Sequence, residues 1–359
     1  MFHHRSLLSA LLAIAALVAL PAAAMAANPS RAVVFSQAVS GAEGEPDEGG
    51  LFAARNGRLN QLTENPADSQ PDFSPDGRMI AFVRDGDLWA MRADGSAQHA
   101  VTGGPEVDGR PHFAPNGRYL LFERAAATGA PRDLYTVRPS GAGLRRLTTS
   151  AADEREATFS GNGRAIAFVR GFAEPGGGSA DDVFTVRPSG AALRRLTRTG
   201  RVDEFAPRFF ARGIVFSRGQ SGEGPGAYAD VFTMRGNGRG VRALIRGAGS
   251  AYVEDVSPNG RLLLFRRSQG LWTKPLPVGR RGAGRARKLT EVADQSTTNA
   301  VFSSAGRQVA AFIATEERET LAAVDVRSRR SVELARGYSL ESGSTASTIG
   351  PVIAWQPPR

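Results

Sequence analysis

One unit recurs along this chain every 40 to 50 residues or so, and it constrains the fold more than any other feature. Its clearest copy reads Gln70-Pro71-Asp72-Phe73-Ser74-Pro75-Asp76-Gly77-Arg78, then Met79-Ile80-Ala81-Phe82-Val83-Arg84. Asp87-Leu88-Trp89-Ala90-Met91-Arg92 follows, then Asp94-Gly95 and Val101-Thr102. The unit returns from Phe113, with Asp133-Leu134-Tyr135 and Leu147-Thr148, and from Phe159, with Asp182-Val183-Phe184 and Leu196-Thr197. A worn copy starts at Phe209, keeps Gly213 and Asp230-Val231-Phe232, and ends near Leu244. Two more run from Val256 to Thr290 and from Phe302 to Leu334.

Each copy holds four short β-like runs separated by turn residues. In Ser74-Pro75-Asp76-Gly77 the proline pre-sets one turn residue, aspartate suits the next, and glycine supplies the positive φ that closes the hairpin. Every copy keeps that glycine, at Gly77, Gly117, Gly163, Gly213, Gly260 and Gly306. The run after it, Met79 to Val83, is apolar on both faces, as a strand covered on both sides must be. Trp89, Tyr135, Phe184, Phe232 and Trp272 fall at one equivalent position, where packing between units is the expected role.

Six copies leave two orphan ends. Ala32 to Phe35, Leu51 to Ala54 and Leu59 to Thr63 read as second, third and fourth strands without a first, and Val352 to Trp355 reads as a first strand without the rest. Joined, they make a seventh unit and remove the open sheet edges of a linear stack. The expected fold is an all-β, seven-bladed β-propeller of four-stranded blades, closed by a composite blade from both chain ends. Six blades are the alternative, and the worn fourth copy is where the count is weakest.

The form Phe-Ser-Pro-Asp-Gly-Arg, Ile-Ala-Phe, Asp-Leu-Trp and Leu-Thr resembles the WD40-like repeats of the TolB propeller family, over essentially all of the chain after residue 26. The resemblance implies a propeller that binds protein or peptide partners in the cell envelope. TolB itself carries a small α/β domain ahead of a six-bladed propeller, and this chain is expected to have the propeller alone. Similar repeats also occur beside peptidase domains and in oligosaccharide lyases.

The first 26 residues read as a signal peptide. His3, His4 and Arg5 form the polar, positive start, Leu7 to Leu20 the apolar run, and Ala24-Met25-Ala26 a cleavage site before Ala27. The alternative is an uncleaved membrane anchor; no other segment is apolar and long enough to span a bilayer. The expected localisation is therefore secreted or periplasmic, with residues 27–359 forming one domain. The chain has no cysteine, which excludes disulfides and thiolate zinc sites. Its net charge of +10 is almost all arginine, since Lys274 and Lys288 are its only lysines. The arginines recur once or twice per unit instead of clustering with stacking aromatics, which argues against nucleic acid. Attraction to an anionic envelope polymer fits better, and the loop from Arg280 to Lys288 is a candidate for it.

Little in the sequence points to catalysis. Gly337-Tyr338-Ser339-Leu340-Glu341 lacks the second glycine of a nucleophile elbow. Beyond the signal only His99 and His112 remain, few for a metal site. One constellation is candidate binding chemistry. Asp68, Asp108, Glu154 and Glu204 each stand five residues before an anchor phenylalanine, in the loop entering a unit's first strand. Such positions are expected to ring the channel mouth as an acidic rim that receives a basic peptide segment or a cation such as calcium; turn capping by the same acids is the competing role. No other cofactor is expected. The functional reading is an exported, non-catalytic scaffold for a protein or peptide, with a glycan-binding or glycan-degrading propeller as the alternative.

Overall fold

The computed structural model describes residues 32–39, 48–55, 58–173, 179–200, 202–219, 228–247, 249–268, 270–277, 284–291, 300–315, 318–336 and 348–355. The signal segment, the segment at 337–341 and residues 280–283 of the basic loop lie outside them.

The turn chemistry forms the hairpins as expected. Ser74 N–H donates to the Met79 carbonyl at 2.9 Å and Gly77 N–H to the Ser74 carbonyl at 2.8 Å. Ser74 Oγ accepts the Met79 N–H at 2.9 Å, and Asp76 Oδ1 accepts that of Arg78 at 3.1 Å. Gly77, Gly117, Gly163, Gly260 and Gly306 take φ of 66° to 69°, where a side chain is strained. Gly213 is the exception. It sits in a strand outside the left-handed region, and a Cβ there would lie 1.9 Å from the Met234 carbonyl oxygen. Close approach of backbone, not turn geometry, holds glycine in the worn copy.

Among the described residues these hairpins build 28 strands, numbered in chain order, in seven four-stranded antiparallel sheets. No helix occurs among the described residues, so none crosses a membrane there. Blade 2 runs from β4 (Ser69–Phe73) to β7 (His99–Ala100), blade 3 from β8 (Val107–Phe113) to β11 (Arg145–Arg146), and blade 4 from β12 (Glu154–Phe159) to β15 (Arg194–Arg195). Blade 5, the worn copy, is complete from β16 (Asp203–Phe210) to β19 (Arg242–Ile245). Blade 6 runs from β20 (Ala251–Val256) to β23 (Arg287–Glu291), and blade 7 from β24 (Val301–Phe302) to β27 (Ser331–Arg336).

Blade 1 is the composite. Its order is β28 (Thr348–Trp355), β1 (Val33–Val39), β2 (Glu48–Arg55) and β3 (Arg58–Gln61), with Val33 opposite Trp355 and Phe35 opposite Ile353. Strand β28 touches β24 on one side and β4 on the other, so it closes the ring of first strands. Trp355 Nε1 donates to the Val301 carbonyl of blade 7 at 3.2 Å.

The core lies between blades. Seven apolar clusters among the described residues each join one blade to the next; Phe73, Ile80 and Phe82 of blade 2, for example, pack on Val34, Leu51 and Leu62 of blade 1. One phenylalanine per second strand is buried to 1% exposure or less in blades 1 to 6: Phe35, Phe82, Phe122, Phe168, Phe216 and Phe265. Removing such a ring costs about 3–5 kcal/mol. The third-strand aromatics lie over them, as in the Phe168–Phe184 pair with centroids 5.6 Å apart. The Leu-Thr signature also has a mechanism: Thr63, Thr102, Thr148 and Thr197 Oγ1 accept the N–H of Leu51, Leu88, Leu134 and Val183 at 2.8–3.0 Å, tying the fourth-strand segment to the third strand.

Candidate binding site at the channel and its entry face

The four acids of the expected rim all sit at the entry to a first strand, at equal height, but they are not an open rim. Their side chains have no exposed surface, and each lies across the sheet from an arginine at the end of the second strand. Arg84 Nε and Nη2 donate to Asp68 Oδ1 and Oδ2 at 2.6 and 2.7 Å, and Arg124 holds Asp108 at the same distances. Arg170 Nε donates to Glu154 Oε1 at 2.7 Å and Arg218 Nε to Glu204 Oε1 at 2.9 Å. The guanidinium in turn lies over an aromatic ring, 4.6 Å from the Trp89 centroid, 5.5 Å from Tyr135, 4.6 Å from Phe184 and 4.5 Å from Phe232. The cation expected from outside is supplied from within. Burial, not mutual repulsion, is the main force raising the pKa of Glu154 and Glu204, with Arg170 and Arg218 opposing it.

Two residues further on, the first strand bulges. Gln70, Arg110, Glu156 and Ala206 take φ between 49° and 58°, an uncommon conformation for residues other than glycine. The innermost strand has one edge without a β partner, and the bulge turns its N–H groups toward side chains of the preceding blade. Arg110 N–H donates to Gln70 Oε1 at 2.5 Å, Glu156 N–H to Glu123 Oε1 at 2.6 Å, and Ala206 N–H to Glu156 Oε2 at 2.5 Å. Higher in the same strands, Phe113 N–H donates to Asp72 Oδ2 at 2.7 Å and Phe302 N–H to Asp255 Oδ2 at 2.8 Å. Side chains thus lace the inner ring.

The residue just before each anchor faces the channel, and its chemistry changes from blade to blade: Asp72, His112, Thr158, Arg208 and Asp255. His112 Nδ1 stands 4.0 Å from Asp72 Oδ2, with half its side chain exposed. Arg208 of blade 5 acts electrostatically on His112 of blade 3 and on Glu254 and Asp255 of blade 6, so these groups share the central space. Desolvation pushes Asp72 up to about 7 against the Phe113 N–H bond, and Glu254 up to about 8 against Arg266. Desolvation, with Arg208 and Arg110 adding to it, pushes His112 down to about 4.

Near the channel mouth between blades 3 and 4 a salt-bridge network extends from Glu123 through Arg132 and Asp153 to Arg155 and Asp181. Arg132 grips Asp153 with Nε at 2.9 Å and Nη2 at 2.7 Å, a two-point contact.

His99 lies on the outermost strand of blade 2, its ring nitrogens 3.1 and 3.0 Å from the Ala97 and Pro139 carbonyls, so it does not meet His112. Among the described residues no three His, Asp or Glu side chains are grouped as metal ligands. On the opposite face a groove of about 1300 Å³ between blades 1 and 2 carries Arg55, Arg58, Arg78 and Arg92 above Leu62 and Met91.

The sequence reading missed Gln70, Asp72, Glu156, Arg208, Glu254 and Asp255 as channel groups. For Asp72, Arg208 and Asp255 the signal was a polar residue of changing type immediately before the first-strand anchor; Gln70, Glu156 and Glu254 stand two or three residues before it.

Residues 50–114 match the family model described as the dipeptidyl peptidase IV N-terminal region. No curated protein matches the chain. Among solved structures, TolB from Acinetobacter baumannii is 13% identical, with a TM-score of 0.53 over 90% of this chain and 82% of that one. An oligogalacturonate lyase from Vibrio parahaemolyticus is 12% identical, with a TM-score of 0.61 over 84% and 93%. A puromycin-hydrolyzing peptidase from Mycobacterium tuberculosis is 14% identical, with a TM-score of 0.61 over 87% of this chain and 55% of that one. This chain therefore spans little more than half of that peptidase. At these identities the likeness establishes the shared propeller fold.

Proposed function

We propose that the protein is an exported, non-catalytic scaffold that takes a basic segment of a protein or peptide partner into its channel. The observation that carries this reading is the channel's charge. Asp72 of blade 2 lies beside His112, Arg208 acts on His112 and on Glu254 and Asp255 of blade 6, and burial raises the pKa of all three carboxyls. Carboxylates kept in such a desolvated place take up protons for want of a cation. A lysine or arginine side chain entering the channel relieves that cost and restores them to their charged form. The bulges and the salt-bridge network hold the mouth in shape before a partner arrives, which lowers the ordering cost of binding. The likeness to TolB at the level of fold is consistent with a partner-binding role.

The test is a pull-down from envelope extract with the full chain as bait, beside Asp72→Asn and Glu254→Gln variants. A partner captured by the wild type and lost from the double variant, with unchanged melting behaviour, supports the reading. Equal capture by both sinks it. The Asp72–His112 pair favours a second reading, acid–base chemistry on a glycan. Turnover of acidic oligosaccharides that is lost in His112→Gln would put that reading first. Intact-mass analysis of secreted protein tests export: a chain beginning at Ala27 is expected, and one retaining Met1 in the membrane fraction would mark an anchor.

A further inference from the structure

Charge is divided between the two faces of the ring. The arginines that pair with first-strand acids stand at one end of the second strand. At its other end lies the inner hairpin, between the first and second strands. The register sets the outer turn, between the third and fourth strands, beside it, with Val137 opposite Leu120 and Val186 opposite Ile166. Both turns of blades 3 and 4, the outer turn of blade 5 and the inner hairpin of blade 6 cover residues 114–119, 138–145, 160–165, 187–194, 235–242 and 257–261. They carry ten arginines and no acidic residue. All ten arginines are exposed, and none is in an ion pair among the described residues. The fold does not demand this. Asp76 of blade 2 accepts the Arg78 N–H at 3.1 Å, and Asn116, Asn162 and Asn259 accept those of Arg118, Arg164 and Arg261 at 3.0–3.1 Å. In the outer turn Asp94 accepts the Ser96 N–H at 3.0 Å, and Asn237 that of Arg239 at 3.1 Å. Either side chain makes the bond, so blade 2 carries negative charge in turns that the later blades keep free of it. Exposed apolar groups recur on the same face. Leu144, Leu193 and Val241, 48%, 44% and 39% exposed, each stand immediately before an arginine, at one position of three successive blades. Blade 2 has Gln98 there. Single exposed leucines are ordinary on a soluble surface. Three at one height, each beside an arginine, form a band. The turns also meet from blade to blade: a Cβ on Gly163 would lie 3.5 Å from Pro115, and Arg145 donates to the Ser189 carbonyl.

We propose that this face of blades 3 to 6 docks on an anionic lipid bilayer, with its arginines against the headgroups and Leu144, Leu193 and Val241 in the apolar boundary beneath them. An anionic membrane attracts each arginine held within a Debye length of it, a gain of roughly fivefold in partitioning per residue. Apolar side chains that enter the headgroup boundary add a contribution that a dissolved polyanion does not offer. The pairing of a leucine or valine with an arginine in each of three blades therefore fits a bilayer better than an anionic polymer. The opposite face, with its paired acids and bulged first strands, turns away from the lipid. The docking face is independent of what enters the channel.

The probes are vesicles of phosphatidylcholine with about one third phosphatidylglycerol, and vesicles of phosphatidylcholine alone, sedimented with the full chain. The wild type is expected to partition at least about tenfold more strongly onto the anionic vesicles, and to lose that preference toward about 1 M salt. The apolar run from Leu7 to Leu20 does not distinguish the two vesicles, so their difference reports the face. Three variants locate it, each of exposed residues and each checked for an unchanged melt. Arg138→Gln with Arg187→Gln and Arg235→Gln is expected to weaken anionic binding roughly a hundredfold. Leu144→Ser with Leu193→Ser and Val241→Ser is expected to weaken it at least about tenfold. Asn116→Asp with Asn162→Asp and Asn259→Asp keeps the turn bond, as Asp76 does, and should weaken binding without touching an arginine or a leucine. Equal partitioning onto both vesicles overturns the proposal, as does an anionic preference that survives in the arginine or the asparagine variant. Loss in the arginine variant with full binding in the serine variant would mean that the face reads charge alone. Competition by soluble polygalacturonate would then assign it to an anionic polymer and end the bilayer reading.

Discussion

Blades 2 to 5 and blade 6 share strand order and the buried phenylalanine of the second strand, yet they treat charge in opposite ways. The first group neutralises each buried arginine with an acid of its own blade and shields it with a ring. Blade 6 keeps a basic and an aromatic residue and has Ala251 in place of the acid, beside a cavity of about 650 Å³. The contrast teaches that the apolar interfaces between blades carry the fold. The polar triplet is an addition that one blade can modify without losing its four strands.

If so, the largest effect should come from attacking a strand and not a charge. Deleting residues 350–359 removes most of β28, the strand that closes the ring, and takes Trp355 and Ala354 out of clusters shared with blades 7 and 2. The truncated protein should lose its cooperative melting transition and aggregate through the exposed edge of β1. A variant that melts like the full-length chain would show that the ends do not share a blade.

Next in size is the loss of one acid from an intact triplet. In Asp108→Ala, Arg124 keeps its buried place, 9% exposed, and loses both bonds to its partner. Stranding a buried charge costs about 3–5 kcal/mol, measurable as a shift in the denaturant midpoint. Ala251 shows that the same loss is tolerated where the walls have been rebuilt. A cost below about 1 kcal/mol for Asp108→Ala would mean the triplets are solvated after all, and the contrast between blades would dissolve.

Acidity sharpens the comparison from the side of blade 6. Glu254 titrates at about 8 in the folded chain against 4.5 for the free side chain, because burial outweighs Arg266. A carboxyl whose folded pKa is raised binds its proton more tightly when folded. Its contribution to stability is therefore full below the unfolded value and is lost as pH rises through the folded one. Between about pH 5 and pH 9 the wild type should lose stability that Glu254→Gln retains, so the gap between the two should widen with pH. Asp72, raised to about 7, adds to the same slope and reaches its limit sooner. His112 works in the other sense: lowered to about 4, its contribution is present above the unfolded value of 6.5 and is lost on acidification. A gap between wild type and Glu254→Gln that does not vary with pH would place Glu254 in solvent.

What was legible beforehand follows the range of the interaction. Turn glycines, the doubly buried second strand and the pairing of the chain ends are local or periodic, and they read directly from the repeat. The acids were located correctly, at one height in four consecutive blades, and their partners were not. Arg84, Arg124 and Arg170 stand 16 residues after their acids and Arg218 stands 14 after, across a bulge and a hairpin. That shared offset was as visible as the acids' own spacing, and it would have converted an open rim into four closed pairs. The channel groups were harder to see, because Asp72, His112 and Arg208 share a position and no chemistry. Only the closed ring brings Arg208 to His112 from two blades away.

The smallest effect expected tests whether blade 6 has also loosened its outer edge. In blade 4's predecessor, blade 3, Thr148 is buried and its Oγ1 accepts the Leu134 N–H at 3.0 Å. The corresponding Thr290 of blade 6 directs its hydroxyl to the Glu291 carbonyl at 3.2 Å, in a strand whose register shifts between Leu271 and Trp272. Valine matches threonine in shape and removes the hydroxyl. At position 148 it leaves a buried backbone donor without its acceptor, which costs about 1–3 kcal/mol. At position 290 the bond lost is exposed and made by the hydroxyl as donor, so water replaces it and the cost should stay within about 0.5 kcal/mol. Thermal melts of Thr148→Val and Thr290→Val decide the matter. Equal losses would mean that blade 6 is capped like its sisters, and that its divergence is confined to the carboxylate it lacks.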